Sequence, residues 1–198
     1  MRATIASHPT LMDSAQKYGA QTLRNILLVL AGTMLLYLSA KLTIPLDPVP
    51  FSMQTFVVLT LGVAYGWKLG ALTIMVYLME GAIGLPVFAQ TPEKGIGLAY
   101  IAGPTGGYLI GFIIAAGTTG YLAERGWDRN VTTTAMAMFL GNVAIYVPGL
   151  TWLSTLFGFE AAIKHGLLPF ITGDLVKLAL AAAVLPLCWK YLGQRSRD

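Results

Sequence analysis

Residues 171–189 read ITGDLVKLALAAAVLPLCW. The run is apolar apart from its first few residues, and it contains one carboxylate, Asp174, and one ammonium, Lys177. A helix rises 1.5 Å per residue, so about 20 apolar residues cross a hydrocarbon core of about 30 Å. The stretch is therefore read as most of a transmembrane helix. A charge at the centre of such a helix costs roughly 2.5–3.5 kcal/mol on insertion scales. That cost persists only where the charges are hidden, paired or used. Residues three apart on a helix share a face. Two readings follow: an internal ion pair that ties the helix to itself, or an acceptor and a donor set side by side for a ligand.

The rest of the chain agrees with a membrane setting. Of 198 residues, 56% are hydrophobic and only 11% charged, against about a quarter charged in soluble domains. Mean hydropathy is +0.67. The single cysteine, Cys188, excludes an intrachain disulfide framework and a cysteine metal cluster. His8 and His165 have no metal-ligand partner at useful spacing. There is no nucleophile with an adjacent base and no phosphate-cradling glycine loop followed by lysine, so an enzyme is not expected and no cofactor is implied.

Six spans are predicted: about Arg24 to Ile44, Ser52 to Trp67, Leu69 to Phe88, Gly107 to Glu124, Thr132 to Phe157 and Leu168 to Leu192. The fold class is all-α, a polytopic six-helix membrane bundle. The second and third spans meet at the tight turn YGWKLG and should form an antiparallel hairpin. Residues 1–22 are mixed polar and read as an N-terminal arm, with an amphipathic surface helix as one form it could take; 23–195 form the membrane-embedded domain.

Basic residues orient the bundle. With the N-terminus inside, Arg2, Lys17, Arg24, Lys68, Arg125, Arg129, Lys190, Arg195 and Arg197 lie on the inner side, and Lys41, Lys94 and Lys164 on the outer. Nine against three puts both termini in the cytoplasm. The net charge of +4 is then a matter of topology and gives no reason to invoke nucleic acid.

Two connections fall outside. TIPLDPVPF (43–51) is stiffened by its three prolines. AQTPEKGIGLAYIAGPTGG (89–107) is long, and its apolar residues favour a folded lid. Counted from Pro169, Asp174 and Lys177 lie roughly 8 and 12 Å deep, in the outer half of the core.

Other polar residues in the spans are candidates for the same pocket. Asn142 is near the middle of the fifth span, as a ligand contact or as interhelical glue. Pro148 and Gly149 should break that span. Trp152 follows, as a pocket residue or an interface aromatic. Gln54 opens the second span. Glu80 could pair with Lys177, line the cavity or face the interface. Gly107, Gly111 and Ala115 form a small-residue stripe suited to close helix packing.

VPFSMQTFVVLTLG (49–62), GAIGLPVFA (81–89), AGPTGGYLIGF (102–112), GNVAIYVPGLTWL (141–153) and GLLPFITGDLVKLALAA (166–182) occur in this order. Together they resemble BioY, the biotin-binding S component of energy-coupling factor (ECF) vitamin transporters. The resemblance spans about residues 25–195. It implies an S-component fold, biotin captured from outside, a bacterial cytoplasmic membrane, and partnership with a T subunit and two ATPases. In that family the aspartate and lysine of the last motif hold the polar head of the ligand; here they are Asp174 and Lys177. Tyr108, in the glycine-rich motif, joins Asn142, Gln54 and Trp152 as a candidate contact. The biotin tail would point to the outer loops, near Gln90 and Lys94.

One departure concerns the first span. S components commonly dock through a small-xxx-small pattern there, but Ala31 and Gly32 are followed four positions on by Leu35 and Leu36. A carrier working without ATPase partners therefore stays open as a second reading, as does self-association. The orientation is directly testable. In a background lacking Cys188, an impermeant thiol reagent added outside should label Lys94→Cys and spare Arg129→Cys. The reverse pattern would overturn the topology.

Overall fold

The computed structural model describes residues 21–195. The expected arm lies outside them, except that Gln21 and Thr22 open the first helix. In chain order the elements are α1 (Gln21–Lys41), the short strands β1 (Thr43–Ile44) and β2 (Phe51–Ser52), α2 (Gln54–Ala82), α3 (Gly97–Ile101), α4 (Gly106–Ala123), α5 (Val131–Phe157), α6 (Phe159–Gly166) and α7 (Leu168–Arg195). Five of them, α1, α2, α4, α5 and α7, are long and apolar enough to cross a membrane. Their outward faces are aliphatic: Leu27, Leu30 and Met34 of α1 are each more than half exposed. Lipid can cover such a surface, whereas water would drive it together.

The 29-residue α2 is not straight. Gly66 within it has φ 79° and ψ 171°, a conformation reached almost only by glycine. The chain folds back there. The Gln54 side chain donates to the Tyr77 hydroxyl at 2.7 Å, although 23 residues of straight helix would separate them by about 35 Å. The hairpin expected in YGWKLG is present, with its turn at Gly66, and its limbs run 54–65 and 67–82.

Helix α4 lies between α2 and α5 and packs extensively on both. Its small residues let backbones touch. A Cβ on Gly107 would stand 2.4 Å from the Pro148 carbonyl oxygen, and one on Gly111 2.7 Å from that of Ile145. The expected break at Pro148 does not occur: α5 runs through it as one helix. Proline removes the N–H that the Ala144 carbonyl would have bonded, and Gly111 packs against that carbonyl. The lost bond is thus sheltered at a helix contact and does not open the helix.

Both connections near β1 and β2 are ordered. The strands pair antiparallel, Thr43 with Ser52 and Ile44 with Phe51. The long connection folds around α3 and an aromatic stack, Tyr77 on Phe88 edge-on at 5.5 Å and Phe88 on Tyr100 at 4.9 Å. The Tyr100 hydroxyl donates to the Ala89 carbonyl at 2.8 Å, and burial pushes its pKa up. Lys41, the last residue of α1, donates to the carbonyls of Pro86 (2.9 Å), Phe88 (3.3 Å) and Thr91 (2.9 Å). An ammonium at a helix end thus pins the start of the connection to the bundle. The segment between α5 and α7, left outside the six predicted spans, is the short helix α6.

Lys41→Met should free that segment. Hydrogen bonds to a charged group are worth about 1.5–3 kcal/mol each. Losing these should raise cleavage after Lys94 by a lysine-specific protease at least about tenfold, because cutting follows the locally opened population. An unchanged rate would mean that the carbonyl contacts do not hold the connection.

Candidate ligand-binding site

Asp174 and Lys177 occupy one face of α7, near its start. Both are 7% exposed. The Lys177 ammonium has three protons, and each has a partner. It donates to the Ser52 carbonyl at 2.8 Å, to Thr55 Oγ1 at 2.8 Å and to Asp174 Oδ1 at 3.1 Å. Thr55 donates in turn to Asp174 Oδ1 at 3.3 Å, and the Tyr146 hydroxyl donates to Asp174 Oδ2. The Phe51 ring lies 4.0 Å from the Lys177 nitrogen, a cation–π contact.

Local sequence explains the arrangement. Ser52 and Thr55 flank the junction of β2 and α2, so the proline-stiffened connection delivers them to α7. Gly173 lets Phe51 approach: a Cβ there would stand 2.2 Å from the Phe51 ring. Phe170 packs on that ring at a tilt, with centroids 5.8 Å apart. A buried pair is tolerable only when its remaining donors and acceptors are satisfied, and here four elements, β2, α2, α5 and α7, contribute to that.

The pair lines a cavity that, with its open mouth, holds about 540 Å³ of non-protein space. Its walls come from β2 and the residues before it, the starts of α2, α4 and α7, the middle of α5, and the long connection at Ala89, Tyr100 and Thr105. Gln54 and Tyr108 line it as well. Gln54 is held by Tyr77, which donates on to the Val87 carbonyl at 2.8 Å. The Tyr108 hydroxyl donates to the Gly166 carbonyl at 2.9 Å, so its ring rather than its oxygen faces inward.

Three other expected residues are not among the cavity's lining. Asn142 lies in a groove between α5 and α7, with Oδ1 buried and unpartnered. Gln90, at φ 54°, lines a recess between the two connections, with Asp47 and Lys94. That recess meets the cavity at Pro50, Tyr100 and Thr105. Trp152 donates from its indole to the Gly103 carbonyl at 2.9 Å and ties α5 to the long connection. Among the described residues, Glu80 forms no ion pair; the carboxylate that meets Lys177 is Asp174.

Thr55, Tyr146 and Ser52 were not singled out from the sequence. Tyr146 could have been: it lies one turn from Asn142, on the same face of a helix that already carries a buried amide. Among the described residues no three His, Cys, Asp or Glu side chains stand close enough to hold a metal. Chemically, the wall offers a carboxylate with acceptor capacity left and an ammonium whose protons can be exchanged to a better acceptor. That suits a neutral head group that donates on one edge and accepts on the other.

The sequence pattern of the BioY family matches residues 11–194. A protein from Pyrococcus horikoshii named "Probable biotin transporter BioY" is 38% identical over 161 residues, covering 81% of this chain and 93% of its own. The "Biotin transporter BioY" of Thermotoga maritima is 39% identical over 160 residues, covering 79% and 92%. A crystal structure of the S-component for biotin from an ECF-type ABC transporter superposes with a TM-score of 0.75 at 23% identity, over 88% of this chain and 95% of that one. With a match over nearly its whole length and two relatives above 35% identity that it covers almost end to end, this chain belongs to the BioY family.

Proposed function

We propose that this protein binds biotin in the cavity below its two long connections, as the substrate-specific membrane subunit of an ECF-type uptake system. Residues 23–195 form the binding domain, with six crossings if each limb of α2 counts as one. Both termini lie in the cytoplasm and the cavity faces out, in line with the basic-residue count. The protein catalyses nothing itself; a T subunit and two ATPases would drive release inward.

The observation that carries this reading is the Asp174–Lys177 pair in the cavity wall. The ureido ring of biotin has two N–H donors and one carbonyl acceptor. Asp174 can accept from the N–H edge, and Lys177 can turn a proton from the Ser52 carbonyl or from Thr55 to the ureido oxygen. Charge-assisted bonds of this kind are strong. Because every Lys177 proton is already placed, the ligand exchanges bonds with the protein. Affinity then rests on the difference between the two partners and on apolar burial by rings such as Phe51, Tyr108 and Phe112. The tail carboxylate would leave through the recess at Gln90, where Lys94 can trade Asp47 for the ligand. Trp152 then holds the connection over the site, and Asn142 lies behind it in the α5–α7 groove.

The second reading, a carrier that needs no ATPase partner, is favoured by one feature. The outward face of α1 presents Leu30, Met34, Leu35 and Leu38 and no small-residue track for close docking. Biotin uptake into vesicles holding the purified chain, with and without T and ATPase subunits, separates the two.

Two measurements test the site. Asp174→Leu with Lys177→Met removes both charges together and strands neither. Loss of two charge-assisted bonds should weaken biotin binding about a hundredfold or more in a titration of folded protein. Affinity within a few-fold of the parent would end the assigned role. Biotin should also slow cleavage after Lys94, since the connection over the cavity becomes part of the bound state; equal rates would count against a lid.

A further inference from the structure

The cavity and the α5–α7 groove share two wall residues, Tyr146 and Asp174. The groove is open along its length, with about 1050 Å³ of non-protein space in and above it. Its rim carries Phe139, Val147 and Leu175, each more than half exposed on the lipid-facing surface. Lipid-facing space and ligand-facing space are therefore one side chain apart.

Tyr146 is fixed on both sides. Its hydroxyl donates to Asp174 Oδ2. Its ring meets Tyr108 edge-on, with centroids 6.3 Å apart and planes at 83°. One turn away in the groove, Asn142 is 9% exposed and its Oδ1 has no partner. Hydrocarbon cannot satisfy that acceptor, so polar capacity is left over behind the partition.

We infer that Tyr146 is the partition that seals the ligand cavity from the bilayer-facing groove, and that it thereby fixes the size of the head group Asp174 can accept. This rests on the reading of Asp174 as the acceptor for the ligand's N–H edge. A substituent on the nitrogen nearest Asp174 would point at the Tyr146 ring and be refused. With the ring removed, the same substituent would enter an apolar groove that has room for it. Tyr146 thus acts through Asp174 and by occupying space; it is a positioning and specificity residue.

The test compares biotin with biotin carrying a benzyl group on a ureido nitrogen, bound to the purified full chain in detergent. Tyr146→Phe keeps the ring and loses only the bond to Asp174. It should weaken both ligands alike and keep the preference for biotin within about threefold of the parent. Tyr146→Ala should narrow that preference by at least about tenfold. If Tyr146→Ala does not fold, Tyr146→Leu, which keeps apolar packing but not the ring's reach, replaces it. A truncated variant that binds biotin yet discriminates as the parent does overturns the inference.

A second readout needs no biotin. In a background of Cys188→Ala and Leu109→Cys, a thiol in the cavity wall reports access from either side. Bilayer-soluble N-phenylmaleimide should label it at least about tenfold faster once Tyr146 is truncated, while a charged maleimide from water changes much less. Equal rates for the bilayer-borne reagent in parent and variant also overturn the partition. Should no variant, parent included, bind biotin, the binding assignment fails, and the labelling ratio alone decides whether Tyr146 is a seal.

Discussion

Two opposite charges held out of water at membrane depth set the terms for everything around them. Removing an ion from water costs several kcal/mol even after relaxation. Attraction between Asp174 and Lys177 offsets part of that, and the neighbouring groups supply the rest: a carbonyl from Ser52, hydroxyls from Thr55 and Tyr146, and the face of Phe51. Each comes from a segment distant in sequence. The connection between α1 and α2 must therefore be stiff, α7 must start close beside it, and Gly173 must be bare. The pair pins β2, the start of α2, the middle of α5 and the start of α7 to one place.

The cavity is the complement of that pinning. Glycines on α4 bring its backbone onto α5 at Gly107 and Gly111, so these helices leave no gap where they cross. The cavity opens toward the end where the connections lie. There Lys41 draws the long segment down by its carbonyls, and the Tyr77–Phe88–Tyr100 stack fills the volume beneath it. The roof is thus attached by one ammonium and a few rings, while the floor is locked by charge. A roof built this way can shift without disturbing the charged groups beneath it.

Much of this was legible in the sequence. The spacing of Asp174 and Lys177, the reversal at YGWKLG and the folded character of 89–107 follow from periodicity, glycine and burial arguments that act locally. What was not legible depends on which distant segments meet. Thr55 and Tyr146 look like ordinary span residues until α7 is placed beside them. Trp152 and Asn142 were grouped with the pocket because they lie at the right depth; depth along a helix does not fix azimuth, and their side chains serve the roof and the groove between α5 and α7. Pro148 was expected to break α5. A proline removes one N–H, and close packing by Gly111 against the freed carbonyl is enough to let the helix continue. The short helix α6 escaped notice because eight residues between two spans carry too little periodicity to separate from a loop.

A satisfied network also constrains what can bind. If Lys177 had a free proton, any acceptor would gain a full charge-assisted bond, and selectivity would be poor. Because all three protons are placed, an incoming acceptor gains only the difference between itself and the Ser52 carbonyl or Thr55 hydroxyl. An anionic head would win that exchange at Lys177 but face Asp174 at close range, where like charges in a low-dielectric site repel strongly. A cationic head meets the opposite conflict. A neutral group that donates to Asp174 while accepting from Lys177 leaves the local charge balanced and fills both roles at once. On the proposed binding mode, discrimination would come as much from the penalty each charge places on the wrong ligand as from the attraction either offers the right one.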